Sequence, residues 1–205
     1  MGIKPIETEY NGYRFRSRLE ARWAVFFDEA GIEYQYEPEG FELDNGVRYL
    51  PDFYLPWFRC YVEIKNANLT NEKEEEAKKK LENLFVLHGD CCVMLCKGDP
   101  MDDGIEILVN EADEGGGSSE LWVQAWFVMG GWYNGGFGGK RHIDLVLDYN
   151  STKSEIGFYT GDYNPLPCIH PIVYCDDYRS DLDFAMKAAR QARFEHGETP
   201  AVKHG

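Results

Sequence analysis

The chain has 205 residues, enough for one well-packed domain or for one domain with a sizeable extension. Its apolar and aromatic fractions, 43% and 15%, are those of a globular protein and argue against disorder. The net charge of −15 argues against broad nonspecific nucleic-acid binding, although a local basic patch or a bound metal ion is compatible with it. No apolar run has the length of a membrane helix, and no signal-peptide core is present, so we expect a soluble, cytoplasmic protein.

The six cysteines lie mostly within strand-like apolar runs. Because the chain carries no export signal, we expect buried, reduced thiols. A zinc site formed by Cys91, Cys92, Cys96 and His88 is the alternative. Against it, adjacent strand residues point to opposite faces and no paired CxxC motif is present.

The segment "FRSRLEARWAVFFDEAG" predicts the first helix. Ser17 is the expected N-cap, with Glu20 at the third position of a capping box. Apolar side chains recur at the helical period, and Gly31 is expected to end the helix. Glu20 lies beside this apolar stripe, so we expect it to border the core.

Strands follow the first helix. "IEYQYEP" alternates as a strand does, and "GFELDNGVRYLPDFYL" predicts a hairpin with a tight turn at Asn45 and Gly46. "RCYVEIKNA" predicts a further strand, whose period-two alternation puts Glu63 and Lys65 on the same face. Asp52 is expected near the end of the preceding strand, and if the two strands pair, the carboxylates of Asp52 and Glu63 can approach each other.

The remaining elements suggest a division of the chain. "NEKEEEAKKKLENLFVLHG" predicts a second helix, with Asn71 and Glu74 as a capping box, and "CCVMLCK" predicts a buried strand. We predict a core of residues 1–113 and a Gly- and Ser-rich loop or linker at 114–120. Residues 121–205 form a C-terminal α/β extension that ends in a helix, either as a separate domain or packed on the core.

Three charged residues in otherwise apolar strands indicate a metal site. Hard divalent cations such as Mg²⁺ bind oxygen ligands, typically one or two carboxylates with water and substrate phosphate. Asp52 and Glu63 would hold the metal, and Lys65 would stabilise the attacking water or the phosphate. Glu20 would bind the same metal or a second one. The alternatives are an ion pair of Glu63 and Lys65 on an exposed edge, and a Glu20 that only caps its own helix.

The spacing Glu20 … Pro51-Asp52 … Glu63-Ile64-Lys65, in an α-β-β-β-α-β order, resembles the PD-(D/E)xK nuclease superfamily. The phrases "YEPEGFEL" and "YLPDFYLP" further resemble small nuclease-like proteins of bacteria and their phages. The resemblance covers roughly positions 13 to 97. It implies an α/β (α+β) fold with a restriction-endonuclease-like αβββαβ core, in which helices flank a mixed central sheet.

The resemblance also implies site roles and an activity. Asp52 and Glu63 would bind metal, Lys65 would assist the attacking water, and Glu20 would be an auxiliary ligand. We therefore predict a nuclease dependent on Mg²⁺ or Mn²⁺ that hydrolyses phosphodiester bonds, in DNA rather than RNA, in a bacterial cell or phage-infected host. The alternative is a catalytically silent protein of the same fold that binds nucleic acid or, through its acidic surface, a protein partner. A homodimer also stays open.

Two basic segments are candidates for nucleic-acid contacts. One is the Gly- and aromatic-rich loop "GGWYNGGFGGKRH", with rings for base stacking and cations for phosphate, and the other is a basic stripe on the last helix. The candidate residues are Trp132, Tyr133, Lys140, Arg141, Lys187 and Arg190. The alternatives are aromatic rings packed on the sheet and an ordinary solvated helix face.

Overall fold

A computed structural model describes residues 6–44, 46–88, 91–100, 104–112, 118–129, 142–147, 158–160 and 182–194. Within these residues, the helices are α1 (Arg18–Glu29), α2 (Asn71–Leu87), α3 (Asp183–Gln191) and a short 3₁₀ helix (Pro56–Phe58). The strands of the first half are β1 (Thr8–Tyr10), β2 (Tyr13–Phe15), β3 (Gln35–Tyr36), β4 (Phe41–Glu42), β5 (Arg48–Tyr49), β6 (Phe53–Leu55) and β7 (Cys60–Lys65). Those that follow are β8 (Cys92–Lys97), β9 (Ile105–Ala112), β10 (Ser118–Met129), β11 (His142–Leu147) and β12 (Phe158–Thr160).

The described strands form one eight-stranded mixed sheet and two separate two-stranded ribbons. The order across the large sheet is β12-β11-β10-β9-β8-β7-β6-β3. β7 runs parallel to β8, and β10 runs parallel to β11, while the other neighbours are antiparallel. The predicted α/β (α+β) class is confirmed, since helices accompany a mixed sheet that does not close into a barrel in the described residues.

Helices cover both faces of this sheet. β7 alternates as predicted: Cys60, Val62 and Ile64 belong to one apolar cluster, together with buried side chains of α1 and α3. Tyr61 belongs to the second cluster, together with the apolar face of α2. Every β7 residue except Lys65 is buried, as expected for a central strand that is covered on both sides.

The first helix follows its sequence signals. Ser17 is the N-cap of α1, and its hydroxyl group accepts a hydrogen bond from the Glu20 N–H at 3.2 Å. Gly31, just beyond the C-cap, has the positive φ of 68° that glycine adopts readily. The buried face of α1, which includes Trp23 and Phe26, packs against the sheet and fixes the position of Glu20 above it.

The predicted capping box of α2 is wrong. Thr70, not Asn71, is the N-cap, and its side chain makes no capping hydrogen bond. The Thr70 main-chain carbonyl accepts from the Glu74 N–H at 3.0 Å, so the helical ladder starts one residue earlier than predicted. The Glu74 side chain turns to Lys97 of β8, at 2.8 Å, and is therefore not used as a cap.

The described C-terminal segments continue the same sheet. β10 begins at Ser118 and pairs with β9, so the last three residues of the predicted linker belong to a strand. Ala185 and Ala189 of α3 are buried in the cluster that also contains the inner face of α1. The division into a core and an extension is still a prediction.

No helix within the described residues is long and apolar enough to cross a membrane.

Candidate active site

Three carboxylates are buried, and all three line one cleft. Glu20, Asp52 and Glu63 have relative exposures of 7%, 6% and 8%, and among the side chains that the structure describes no other acidic residue is as buried. The cleft has a volume of about 400 Å³ and also contains Lys65. The structure therefore brings together all four residues that the sequence analysis selected for the metal site.

Asp52 is held at the start of β6 by hydrogen bonds on both sides. Its Oδ2 accepts from the Ile64 N–H at 2.7 Å, and its main-chain carbonyl accepts from the Glu37 N–H at 2.9 Å. Pro51 precedes it and has no N–H to continue the strand ladder. The Asp52 carboxylate thus accepts a main-chain N–H of β7 beyond the last residue pair of β6 and β7. This hydrogen bond fixes the orientation of the carboxylate.

β7 carries the other carboxylate and the lysine to the same end of the sheet. Phe53 pairs with Val62 in the antiparallel register of β6 and β7, so the next position brings Asp52 opposite Glu63. Lys65, two residues along the same face, forms an ion pair with Glu63 Oε1. The exposed fraction of the Lys65 side chain is 32%, so its ammonium group is open to the cleft.

Glu20 reaches the cleft from the first turn of α1. Its Oε1 accepts from the Ser17 hydroxyl group at 2.6 Å. Its Oε2 accepts from the Tyr36 hydroxyl group at 2.7 Å and from the Arg16 N–H at 3.1 Å. Glu20 therefore binds the N-cap residue of its helix and lines the cleft at the same time.

The three buried carboxylates carry more negative charge than Lys65, the cation in contact with Glu63, can neutralise. Burial, followed by repulsion from Glu63, raises the pKa of Asp52 well above its ordinary value, against the opposing effects of Lys65 and the Ile64 N–H. Burial lowers the pKa of Lys65, but attraction to Glu63 and Asp52 outweighs this effect, so the net shift is upward. Lys65 is consequently charged at neutral pH, while burial and the neighbouring Glu63 oppose the ionisation of Asp52.

The carboxylates suit a divalent cation chemically. Hard cations bind oxygen ligands, and an additional positive charge would relieve the repulsion that raises the pKa of Asp52. Magnesium is commonly held by one or two carboxylates, with waters and substrate oxygens completing the shell. Within the described residues, no three His, Cys, Asp or Glu side chains are grouped to hold a metal ion. The assignment of Asp52, Glu63 and Glu20 as metal ligands therefore stays a prediction.

Other cations line the cleft, and the sequence analysis did not select them. They are Arg16, Arg48 and Lys80. Arg16 pairs with Glu37, and Lys80 pairs with Glu76 one helical turn away at 2.7 Å. In the sequence these cations look like ordinary surface charges, because their common location depends on elements far apart in the chain.

Two tyrosine hydroxyl groups bind the site carboxylates and were also missed. Tyr36 Oη donates to Glu20, and Tyr49 Oη donates to Glu63 Oε2 at 2.8 Å. Burial, followed by the charge of Glu63, raises the pKa of Tyr49 well above its ordinary value, so this hydroxyl group keeps its proton. The only sequence signal was the position of Tyr49 in a predicted hairpin near Asp52, which did not specify its partner.

The zinc alternative does not fit the positions of the thiols. Cys92 and Cys96 are buried in the cluster on the α1 side of the sheet, whereas Cys91 is buried in the cluster on the α2 side. Four cysteines in the described residues are buried thiols, as expected; they are Cys60, Cys91, Cys92 and Cys96. The His88 ring lies 4.9 Å from the ring of Phe41 in an edge-on contact.

The two described candidates for nucleic-acid contacts lie outside the cleft. Lys187 and Arg190 are exposed on α3, and neither lines the cleft. Lys187 lies 4.0 Å from Asp183 one turn away, as on an ordinary solvated helix face. The four loop candidates, at positions 132, 133, 140 and 141, are outside the described residues.

Comparison with known proteins finds no matching family model, and no curated protein matches the chain.

Proposed function

We propose that the protein is a divalent-metal-dependent nuclease that hydrolyses phosphodiester bonds of nucleic acid, DNA in preference to RNA. The observation that carries this proposal is the convergence of three buried carboxylates and one lysine in a single cleft. Burying several like charges is costly, and such arrangements concentrate at functional sites. A structural role for these carboxylates would be met more cheaply by neutral side chains.

The order of elements supports the proposal. From α1 onward, the strands of the large sheet and the helices follow the order α1, β3, β6, β7, α2 and β8, with the β4–β5 ribbon inserted. This is the αβββαβ order that the resemblance to the PD-(D/E)xK superfamily implies. Asp52, directly before β6, and Glu63 and Lys65 on β7 agree with the motif positions that the resemblance implies, which supports the proposal.

Asp52 and Glu63 would hold Mg²⁺ or Mn²⁺, with Glu20 as an auxiliary ligand. Such a cation lowers the pKa of a bound water and polarises the scissile phosphate. The main-chain hydrogen bond to Asp52 Oδ2 orients that carboxylate before substrate arrives. The burial of Asp52 and Glu63 lowers the local dielectric constant, which strengthens their attraction for a cation.

Lys65 would act on the phosphate or on the attacking water. Its ammonium group is charged, and it lies beside Glu63 at the open side of the cleft. A cation at that position donates hydrogen bonds to a non-bridging phosphate oxygen, or holds the water for in-line attack. Because the nucleophile is water, the reaction has no covalent enzyme intermediate.

The cationic lining of the cleft answers the objection raised by the net charge of −15. Arg16, Arg48 and Lys80 supply local positive charge next to the carboxylates. Phosphate contacts need cations only where the backbone of the substrate passes. An acidic surface elsewhere limits nonspecific binding.

The net charge also favours a second candidate function, a catalytically silent protein of the same fold. An acidic surface suits a basic protein partner, and nucleic-acid binding without cutting needs no metal. The two candidates differ in one respect: only the nuclease requires the carboxylates to bind a cation.

The test is cleavage of labelled single-stranded, duplex and branched DNA and of RNA, in Mg²⁺, Mn²⁺ or EDTA. We expect metal-dependent cutting by the wild-type protein and loss of cutting in Asp52→Ala, Glu63→Ala and Lys65→Ala, each of which stays folded. Glu33→Ala, which removes an exposed carboxylate outside the cleft, is the matched control and should cut normally. Cutting that persists in all three site variants would refute the proposal. Binding without any cutting would favour the silent protein.

A further inference from the structure

The two oxygens of Glu63 have different partners. Oε1 forms the ion pair with Lys65, and Oε2 accepts the hydrogen bond from Tyr49 Oη at 2.8 Å. The exposure of Tyr49 is only 6%, so water does not compete for this hydrogen bond. The carboxylate of Glu63 is therefore fixed in its plane by a neutral donor on one side and a cation on the other.

Glu20 is held in a similar way. Tyr36 Oη donates to Glu20 Oε2 at 2.7 Å, and the Arg16 N–H donates to the same oxygen at 3.1 Å. The Ser17 hydroxyl group binds the other oxygen. Two of the three buried carboxylates thus receive a tyrosine hydroxyl group, and the third, Asp52, receives the Ile64 N–H instead.

The type of donor matters for a cation site. A tyrosine hydroxyl group fixes the orientation of a carboxylate without neutralising it, whereas an arginine or lysine in the same place would compensate the charge. Of its two contacts, Glu63 therefore receives positive charge from Lys65 and none from Tyr49. In metalloproteins, hydrogen bonds of this kind to the metal ligands change the affinity for the metal ion.

The position of Tyr49 is itself fixed by packing. Tyr49 lies on β5 of the β4–β5 ribbon, and its ring belongs to the apolar cluster that includes Leu43 and the inner face of α2. Only the hydroxyl group reaches Glu63. Because the ring is anchored independently of its hydroxyl group, Tyr49→Phe removes one donor and leaves the packing in place.

We propose that Tyr49 is a positioning residue whose hydroxyl group orients Glu63 for cation binding, and that Tyr36 does the same for Glu20. This inference rests on the proposed function, because it assigns these carboxylates to a metal site. The ordinary alternative is that each hydroxyl group only satisfies a buried acceptor, as most buried polar groups require. The alternatives differ in one measurable quantity, the affinity of the folded protein for a divalent cation.

The test is calorimetric titration of Mn²⁺ into the folded wild-type protein, Tyr49→Phe and Tyr36→Phe. Loss of an orienting hydrogen bond to a metal ligand typically lowers affinity by about 10- to 100-fold, and we expect this loss in Tyr49→Phe. The loss in Tyr36→Phe should be under about tenfold, because Ser17 and the Arg16 N–H still hold Glu20. Tyr34→Phe is the matched control: its hydroxyl group lies 3.4 Å from Asp28, away from the cleft, so affinity should be unchanged.

A second readout separates positioning from structural damage. At saturating Mn²⁺, the cleavage rate of Tyr49→Phe should recover toward the wild-type rate, whereas Glu63→Ala should not recover at any Mn²⁺ concentration. A Tyr49→Phe protein that binds Mn²⁺ within about twofold of wild type would overturn the inference. If Tyr49→Phe does not fold, the Mn²⁺ affinity of Tyr36→Phe decides instead. A loss greater than about twofold would support the inference, and binding within about twofold of wild type would overturn it.

Failure of the proposed function can be told apart from failure of this inference. A wild-type protein that binds Mn²⁺ but cuts no nucleic acid refutes the nuclease, and weaker Mn²⁺ binding by Tyr49→Phe would still support the positioning role. A wild-type protein that cuts, together with an unaffected Tyr49→Phe, refutes the positioning role alone. A wild-type protein that does not bind Mn²⁺ overturns both.

Discussion

Two groups of charged residues, one beside β8 and β9 and the other in the cleft, differ in how their charges are balanced. On the α2 side of β8 and β9, Glu74 and Glu106 each contact both Lys78 and Lys97, with the four N–O distances between 2.8 and 3.1 Å. We call these four residues the balanced network. In the cleft, three carboxylates are buried and Lys65 is the cation that contacts one of them.

The contrast is visible in the pKa shifts. A hydrogen bond from Lys97, with a further contribution from Lys78, lowers the pKa of Glu74 in the balanced network. In the cleft, burial and the neighbouring carboxylates raise the pKa of Asp52. The network is thus arranged to stabilise the fold. In the cleft, the three buried carboxylates have an excess of negative charge over Lys65, the cation that contacts one of them, and this excess weakens the fold. Such an excess is expected where function, rather than stability, determines the residue types.

The largest expected effect is on the cleavage rate when Lys65 is replaced. Within the described residues, Lys65 is the only cation that contacts a cleft carboxylate. Lys65→Met should lower the cleavage rate by about 10²- to 10³-fold, because a preorganised charge at the phosphate is lost. Single-turnover cleavage in Mg²⁺ measures this effect. Lys79→Met, on the exposed face of α2 and outside the cleft, is the control and should cut at the wild-type rate. Equal rates for the two variants would remove Lys65 from the chemistry.

A smaller effect, on the free energy of unfolding, is expected when one of the three buried carboxylates of the cleft is replaced by a neutral side chain. Asp52→Asn should raise the free energy of unfolding of the metal-free protein by about 1–2 kcal/mol at pH 7. The neutral amide avoids the cost of burying an ionisable carboxylate beside Glu63, and it keeps an acceptor for the Ile64 N–H. Because the folded pKa of Asp52 is raised, the destabilisation is absent below the unfolded pKa of about 4 and grows as the pH rises through the folded pKa. Urea unfolding in EDTA across this pH range measures it. A destabilised Asp52→Asn would contradict the charge excess.

The smallest effect belongs to the balanced network. Glu74→Gln should lower the free energy of unfolding by about 0.2–1 kcal/mol at neutral pH, with no change in cleavage. Because the folded pKa of Glu74 is lowered, its contribution is present above the unfolded pKa and is lost as the pH falls through the folded pKa. The stability curves of the wild type and Glu74→Gln should therefore converge in acid, as those of the wild type and Asp52→Asn do. At neutral pH the two differences have opposite signs, because the wild type is more stable than Glu74→Gln and less stable than Asp52→Asn. Parallel curves would argue against this assignment.

The sequence predicts the parts of this arrangement that depend on local periodicity. The capping signal at Ser17 and the apolar stripe predict α1, and the alternation along β7 predicts that Glu63 and Lys65 share a face. The antiparallel pairing of β6 with β7 was a conditional prediction, and the register confirms it.

Other features depend on long-range packing and could not be predicted. Tyr49 meets Glu63 because the β4–β5 ribbon folds onto the α2 side of the sheet, and nothing in the alternation of β5 specifies that contact. The start of α2 was misplaced because Glu74 pairs with Lys97, from a strand more than twenty residues away, rather than capping its helix. Periodicity identifies the face on which a side chain lies but not its partner across elements.

The most direct test of the central claim, that the negative charge of the cleft is kept for a divalent cation, is thermal unfolding of the wild type and Asp52→Asn with Mn²⁺ or EDTA. At about one hundred times the dissociation constant, Mn²⁺ should stabilise the wild-type protein by about 2.7 kcal/mol, and it should leave Asp52→Asn nearly unchanged. A wild-type protein that Mn²⁺ does not stabilise, or equal stabilisation of the two proteins, would contradict the account.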